Sequence, residues 1–141
     1  MSERADYQGV ELQHLPEDRC RARVKLGRKL GARLHQTYIG VADGPWSPLS
    51  ELQCAARATI QALERAFGIE QGVLTLMNIK TVESFECPAV IVAVMAHEGP
   101  LSQRLVGFCE VTSNPSDAAC KAVLNSTNRY LRFRYSSNRP T

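Results

Sequence analysis

Two glycine-containing segments are the first residues in this chain whose types and spacing suggest chemistry. Gly40-Val-Ala-Asp-Gly-Pro45 joins a strand-like segment to a helical one, and Gly107 occupies a similar position 67 residues later. The free N–H groups and the dipole at a helix N-terminus favour a carboxylate. A duplicated segment of this kind predicts two equivalent anion sites. The alternative is that each glycine only allows the backbone angles of a tight turn, and the sequence by itself favours this interpretation.

A cationic strand is the second candidate. From Arg19 to Leu26, basic residues alternate with small or apolar ones, so one face of the strand is uniformly positive. Charges on one face lie about 6.5 to 7 Å apart, near the spacing of successive phosphates. The candidate nucleic-acid contacts are Arg19, Arg21, Arg23, Lys25, Arg28, Lys29 and Arg33. A solvated sheet face is the favoured alternative, because no aromatic residues for base stacking are interleaved.

Cysteines and histidines give little indication of catalysis. The five cysteines occur singly, without a C-x-x-C pair, and the three histidines have no metal-ligand spacing. The sequence also lacks the common phosphate-binding, dinucleotide-binding and hydrolase motifs. Cys54, near the start of the first helix, is the one thiol that we single out, because a helix start can stabilise a thiolate. We therefore predict no metal, no cofactor and no enzymatic activity.

The length and amino-acid composition are those of one globular domain. The chain has 141 residues, 44% hydrophobic and 22% charged, and a net charge of +3, which is mild for a dedicated nucleic-acid-binding protein. No signal-peptide pattern and no apolar run near 18 residues is present, which predicts a cytoplasmic protein without membrane contact. We predict a flexible arm at 1–8, a single domain at 9–133 and a polar tail at 134–141.

The hydrophobic patterns predict an α+β fold: a two-layer sandwich in which an antiparallel sheet carries two helices on one face, as a pseudo-repeat of (β)ββα and βββα units. Ser47 and Asn114 are the expected N-caps of helices that begin at Pro48 and Pro115. Strands are predicted at 19–26, 32–41, 73–85, 89–96 and 104–112, with a hairpin turn at 27–31 and an optional strand at 9–15. The most apolar strand, 90–95, is expected at the centre of the sheet.

Three features together carry a resemblance to a known family. They are Gly40 to Pro45 entering an alanine-rich helix, the Gly107 turn with Asp117-Ala-Ala ahead of its helix, and the Ala122-Val-Leu-Asn-Ser-Thr-Asn-Arg129 run that closes that helix. In these residues the chain resembles the C-terminal regulatory domain of α-isopropylmalate synthases and citramalate synthases, which binds leucine and dimerises. The match covers roughly residues 19–131.

The resemblance implies two βββα units that pack as a dimer, with a feedback amino acid between them and its carboxylate near the glycine loops. The implied ligand contacts are Gly40, Ala42, Gly44 and Pro45 in the first loop and Gly107, Cys109 and Glu110 in the second. The family's catalytic barrel, of about 250 residues, does not fit in this chain.

We therefore predict a non-catalytic regulatory or assembly module for amino-acid biosynthesis. We expect it to homodimerise through its sheet or loop edges. Such a module could act by binding a small carboxylate metabolite such as a branched-chain amino acid, by pairing with itself or by docking onto a client enzyme. The alternative is a nucleic-acid-binding module that uses the basic strand face and the C-terminal helix with Arg129, Arg132, Arg134 and Arg139.

Overall fold

A computed structural model describes residues 5–30 and 34–134, which form two copies of a unit with three antiparallel strands and a helix. The first unit contains β1 (Asp6–Leu15), β2 (Arg19–Leu30), β3 (Leu34–Pro45) and α1 (Pro48–Ala66). The second contains β4 (Leu74–Glu83), β5 (Pro88–Glu98), β6 (Leu101–Glu110) and α2 (Pro115–Arg134). Each sheet is a meander in chain order. The predicted α+β sandwich and its pseudo-repeat are confirmed, with two three-stranded sheets in place of one.

Some strand boundaries differ from the prediction. The hairpin expected at 27–31 is wrong, because β2 pairs with β3 as far as Leu30 and the connection at 31–33 lies outside the described residues. The optional strand is present and begins at Asp6, so the predicted arm at 1–8 ends inside β1. Of the predicted tail at 134–141, only Arg134 is described, and it belongs to α2.

Local sequence signals fix both helix starts. Ser47 has an extended backbone, and its side chain accepts a hydrogen bond of 3.0 Å from the Ser50 N–H group. Asn114 Oδ1 accepts the Asp117 N–H group at 2.9 Å. Each cap satisfies a first-turn donor that has no partner within its helix, and each is followed by proline, which has no N–H group to leave unpaired. Both predicted caps are confirmed.

The two units share one core. Helix α1 lies on β2 and β3 and contacts β4, while α2 lies on β5 and β6 and contacts β1, so each helix crosses to the other unit's first strand. The helices touch through small residues: the Cys120 thiol lies 3.8 Å from the Ala55 carbonyl. Tyr7 of β1 packs against α2, and burial, followed by the nearby Asp117, raises the pKa of its hydroxyl. The pairing of the units is therefore stabilised by apolar burial.

Gly40 and Gly107 occupy equivalent positions beneath the helices. A Cβ atom on Gly40 would lie within 1.9 Å of the Ala58 carbonyl oxygen, and one on Gly107 would lie 2.3 Å from that of Ala122. The helix backbone rests directly on the third strand of each unit at these positions, and only glycine leaves room for it.

Gly40 contacts α1 about one turn further from the helix start than Gly107 contacts α2, and the lengths of the strands and helices explain this difference. From Gly40 to the end of β3 the strand runs about 17 Å, and from Pro48 to Ala58 the helix returns about 15 Å. In the second unit the strand after Gly107 runs about 10 Å and the helix returns about 10 Å to Ala122. The glycine spacing is thus 67 residues, while the helix positions that pack on the glycines are 64 apart.

A buried carboxylate holds the loop between α1 and β4. Oε2 of Glu64 accepts the N–H groups of Gly72 at 3.0 Å and of Leu74 at 3.2 Å. Burial raises the pKa of Glu64, while the two backbone donors lower it. The net effect is a raised pKa, so folding favours the protonated acid.

Substitutions at Glu64 should separate its hydrogen bonds from its charge. Because a raised pKa lets the folded state hold the proton better, the stability that this proton contributes is present at acidic pH and is lost as pH rises through the folded pKa. We expect Glu64→Gln to keep an acceptor, to match or exceed the wild type at neutral pH and to flatten this decline. Glu64→Leu leaves the two backbone N–H groups without an acceptor, and the free energy of unfolding should fall by about 1 to 3 kcal/mol for each of them. Urea unfolding at acidic and neutral pH measures both effects; equal losses for Gln and Leu would contradict them.

Candidate functional site

The first predicted ligand segment is a strand and not a loop. Residues 40–45 continue the ladder with β2, from Gly40 opposite Val24 to Pro45 opposite Arg19. The space that a Gly44 side chain would need is filled by Ser50 Oγ at 2.9 Å and Cys54 Sγ at 3.0 Å. The expectation of a loop here is wrong, because this segment pairs with β2 along its whole length, and Gln61 of α1 accepts the Val41 N–H group on its other edge.

The second segment lies in the other sheet. Gly107, Cys109 and Glu110 belong to β6, where Cys109 is half-buried and the exposed Glu110 accepts a hydrogen bond of 3.1 Å from Ser84. Ala42 is half-buried on β3, and Pro45 is exposed at its end. The two predicted sets therefore stand on different sheets. As contacts to a small ligand, the seven residues stay predictions.

The corner between β3 and α1 is closed by residues of the chain itself. Trp46 stacks on His14 with 4.7 Å between ring centroids, and its indole N–H group donates to Glu51 at 3.0 Å. Its backbone N–H group donates to the Asp18 carbonyl at 2.8 Å. With Ser47 capping the first turn, the backbone donors that we expected to receive an anion are largely satisfied.

A groove of about 510 Å³ lies where the first turns of both helices meet. Its floor and walls are mostly apolar, and its polar groups come from both units. The side chains that line it include Val10, Leu12, Leu49, Leu52, Thr81, Asn114 and Ser116. No pattern in the sequence predicts this groove, because the packing of the two units creates it and none of its residues forms a local motif.

The outer face of the first sheet is cationic. The exposed Arg19, Arg23, Lys25 and Lys29 alternate with inward residues on β2, as predicted, and have no hydrogen-bond or ion-pair partner in the part of the chain that the structure describes. Arg21 forms hydrogen bonds of 2.8 and 3.1 Å with Asp43 on β3. These bonds hold the pKa of Asp43 below its ordinary value.

Arg28 does not belong to this cationic face. Because β2 continues past residue 27, its alternation turns Arg28 toward the helices, where it is buried. Its guanidinium donates to the Ala66 carbonyl at 2.8 Å and lies 3.9 Å from the Phe67 ring centroid. Arg28 therefore caps the C-terminal end of α1. Arg33 of the predicted set lies outside the described residues.

The outer face of the second sheet is apolar. Val90, Val92 and Val94 of β5 are buried on the helix side, so the alternate residues point away from the helices. Cross-strand partners on that outer side form rows that join β5 to β6, and Val106 and Phe108 are 61% and 50% exposed. The apolar face comprises Val82, Ile91, Ala93, Met95, Val106 and Phe108. The two sheets thus share a fold and differ completely in their outer surfaces.

Three thiols have a raised pKa, and the His97 imidazole lies 3.3 Å from the Ser102 hydroxyl at the exposed β5–β6 hairpin. Burial raises the pKa of Cys54 and of Cys109, and it raises the pKa of Cys120 to about 12. Such thiols are poor nucleophiles, because the thiolate is the reactive form. Residues 5–30 and 34–134 contain no cluster of three or more potential metal ligands.

No protein-family model matches this chain, and no curated protein matches it significantly. Among the helices of the described residues, none is long and apolar enough to cross a membrane.

Proposed function

We propose that the protein is a non-catalytic regulatory or assembly module that forms a homodimer through the apolar face of its second sheet. The exposed Val106 and Phe108, together with the half-buried Ile91 and Met95 beside them, carry this proposal. A contiguous apolar patch on a sheet is typical of an interaction site, since its burial is the main favourable term in association.

The composition of the face favours a second copy as its partner. Its centre carries no charge, while its rim carries both signs, with Lys80 and Arg104 as cations and Glu110 as an anion. A twofold axis brings the same patch of both copies together, so cations of one rim can face anions of the other. Sheets pack face to face in this way about 10 Å apart.

Light scattering over a range of protein concentrations tests the dimer. We expect twice the chain mass at high concentration and a shift toward the chain mass on dilution. A mass equal to one chain at every concentration would refute the assembly role.

The groove between the helix N-termini is the best-supported position for a small carboxylate ligand. Its apolar walls suit a branched side chain, and it lies at the positive ends of two helix dipoles. Leucine and related amino or 2-oxo acids match this chemistry. This position replaces the glycine segments, which are strands paired on one side with β2 or β5 and covered by the helix backbone at Gly40 and Gly107.

Isothermal titration with leucine, isoleucine, valine and their 2-oxo acids tests the ligand. We expect binding of at least one of them and a loss of tenfold or more in Leu49→Asp, because the half-exposed Leu49 lines the groove and an aspartate there repels the ligand's carboxylate. Leu101→Asp is the matched control, since Leu101 is exposed in the β5–β6 hairpin away from the groove. Absence of heat with every compound, or equal loss in both variants, would remove the ligand from the proposal.

A nucleic-acid-binding role is the second candidate, and the row of four unpaired cations on β2 favours it. The successive charges on one sheet face match the phosphate spacing. Binding of single-stranded RNA that weakens steeply with salt would support this role, and no binding at low salt would end it.

A further inference from the structure

The two units close the free edge of their third strand differently. On β3, the side chain of Gln61 accepts the Val41 N–H group and Arg65 donates to the Ile39 carbonyl. Both backbone groups are therefore covered by α1. Such covering is a common way to prevent an edge strand from pairing with another chain.

The equivalent edge of β6 is left open. Asn125, which corresponds to Gln61, donates to the Phe108 carbonyl at 2.7 Å, but Arg129, which corresponds to Arg65, forms no hydrogen bond within the described residues. Phe108 therefore directs its backbone groups away from β5. Because this direction alternates from one residue to the next, Val106 and Arg104, two and four positions earlier, also direct theirs away from β5. The carbonyl of Val106 has no partner in the part of the chain that the structure describes.

A basic groove of about 800 Å³ runs along this open edge, between β6 and the last turns of α2. Arg104, Arg129 and Arg132 line it, and none of the three has an ion pair with a described residue. The carboxylate nearby, Glu98, is already engaged by Arg134 at 2.7 Å and by the Tyr130 hydroxyl at 2.6 Å. The groove therefore keeps an uncompensated positive charge.

We propose that this edge and groove bind an extended acidic peptide segment of a partner protein, which adds to the second sheet as a fourth strand beside β6. Side chains of an added strand alternate between the two faces of the sheet. On the helix side they would meet Arg129 and Arg132, and on the outer side they would meet Val106 and Phe108. The geometry therefore selects a segment in which acidic and apolar residues alternate.

The charge of the groove favours this partner over a second copy of the chain. Pairing β6 with the β6 strand of another copy would bring two sets of unpaired arginines to one seam, where they repel each other. Single-stranded nucleic acid would neutralise the arginines and could stack on Phe133, which is 82% exposed, but it would leave the backbone edge unused. The open edge is the observation that separates the peptide from the nucleic acid.

Fluorescence anisotropy with two labelled peptides tests the proposal. One peptide alternates glutamate and valine, and the other has the same composition with the glutamates and valines in separate blocks. We expect the alternating peptide to bind at least tenfold more tightly. Val106→Pro should weaken the binding of the alternating peptide tenfold or more. Proline has no N–H group, and the N–H group of Val106 points to the peptide side of β6 and is not bonded to β5. The double variant Arg129→Gln, Arg132→Gln should do the same, and Arg57→Gln, an exposed arginine on α1, should not.

The inference goes beyond the proposed dimer, which uses the outer face of the sheet and not the backbone edge of β6. Val106 and Phe108 belong to both surfaces, so the molecular mass of each variant is measured beside its peptide affinity to separate a loss of peptide binding from a loss of the dimer. Equal affinity for both peptides, no loss in Val106→Pro, or no binding at all would overturn it. Binding of single-stranded DNA that depends on the arginines and not on Val106→Pro would assign the groove to nucleic acid and overturn it as well.

Discussion

Gly40→Ala is expected to destabilise the fold by about 3 kcal/mol or more, although it adds one methyl group. The new Cβ would lie 1.9 Å from the Ala58 carbonyl oxygen and 2.8 Å from the Ala62 nitrogen. Both are backbone atoms of α1, so no side-chain rotation relieves the contact and the helix must move away from the sheet. Gly107→Ala should behave similarly, with Ser126 N at 2.5 Å.

Urea unfolding monitored by circular dichroism measures this loss, with Gly27→Ala as the matched control. Gly27 also lies in a paired strand of the first sheet, and a Cβ there would lie 2.3 Å from Gln8 Nε2, the end of a flexible side chain. We expect the control to lose less than about 1 kcal/mol. Equal losses in Gly27→Ala and Gly40→Ala would show that α1 does not rest on the third strand as described.

Ile91→Arg should convert the proposed dimer to a monomer. Ile91 lies at the centre of the apolar face, between Lys80 and Phe108 in its cross-strand row. In a face-to-face dimer its replacement would bury a guanidinium without a carboxylate partner. A loss of about 2.7 kcal/mol, or a hundredfold rise in the dimer Kd, is expected for a central position of this kind. Sedimentation equilibrium measures this shift.

Phe85→Ser is the control for this substitution. Phe85 is 99% exposed in the turn between β4 and β5, outside the face, so its loss removes a large apolar side chain without touching the proposed interface. Its dimer Kd should remain that of the wild type. If both variants weaken the dimer alike, the interface lies elsewhere.

Local patterns in the sequence predicted the elements of the fold well. The caps at Ser47 and Asn114 and the central place of β5 depend on interactions among neighbouring residues, so a sequence reveals them. The inward turn of Arg28 could not be predicted once a hairpin was placed at 27–31, because the direction of a strand residue depends on where the strand ends.

The candidate sites were less predictable, because they depend on how the units pack. Gly40 provides space for the helix backbone at Ala58, a residue 18 positions away whose approach no local pattern reveals. The apolar outer side of β5 was visible as an unbroken apolar run, but the sequence does not show which face remains uncovered. The basic groove likewise needs β6 and α2 side by side.

Hydroxyl-radical footprinting of the wild-type protein, at concentrations above and below the dimer Kd, tests the central claim most directly. If the outer face of the second sheet is the interface, labelling of Met95, Val106 and Phe108 falls at high concentration, while labelling of the fully exposed Phe85 stays constant. Protection that is absent from these three residues, or that appears instead on the cationic face of the first sheet, would contradict assembly through the second sheet.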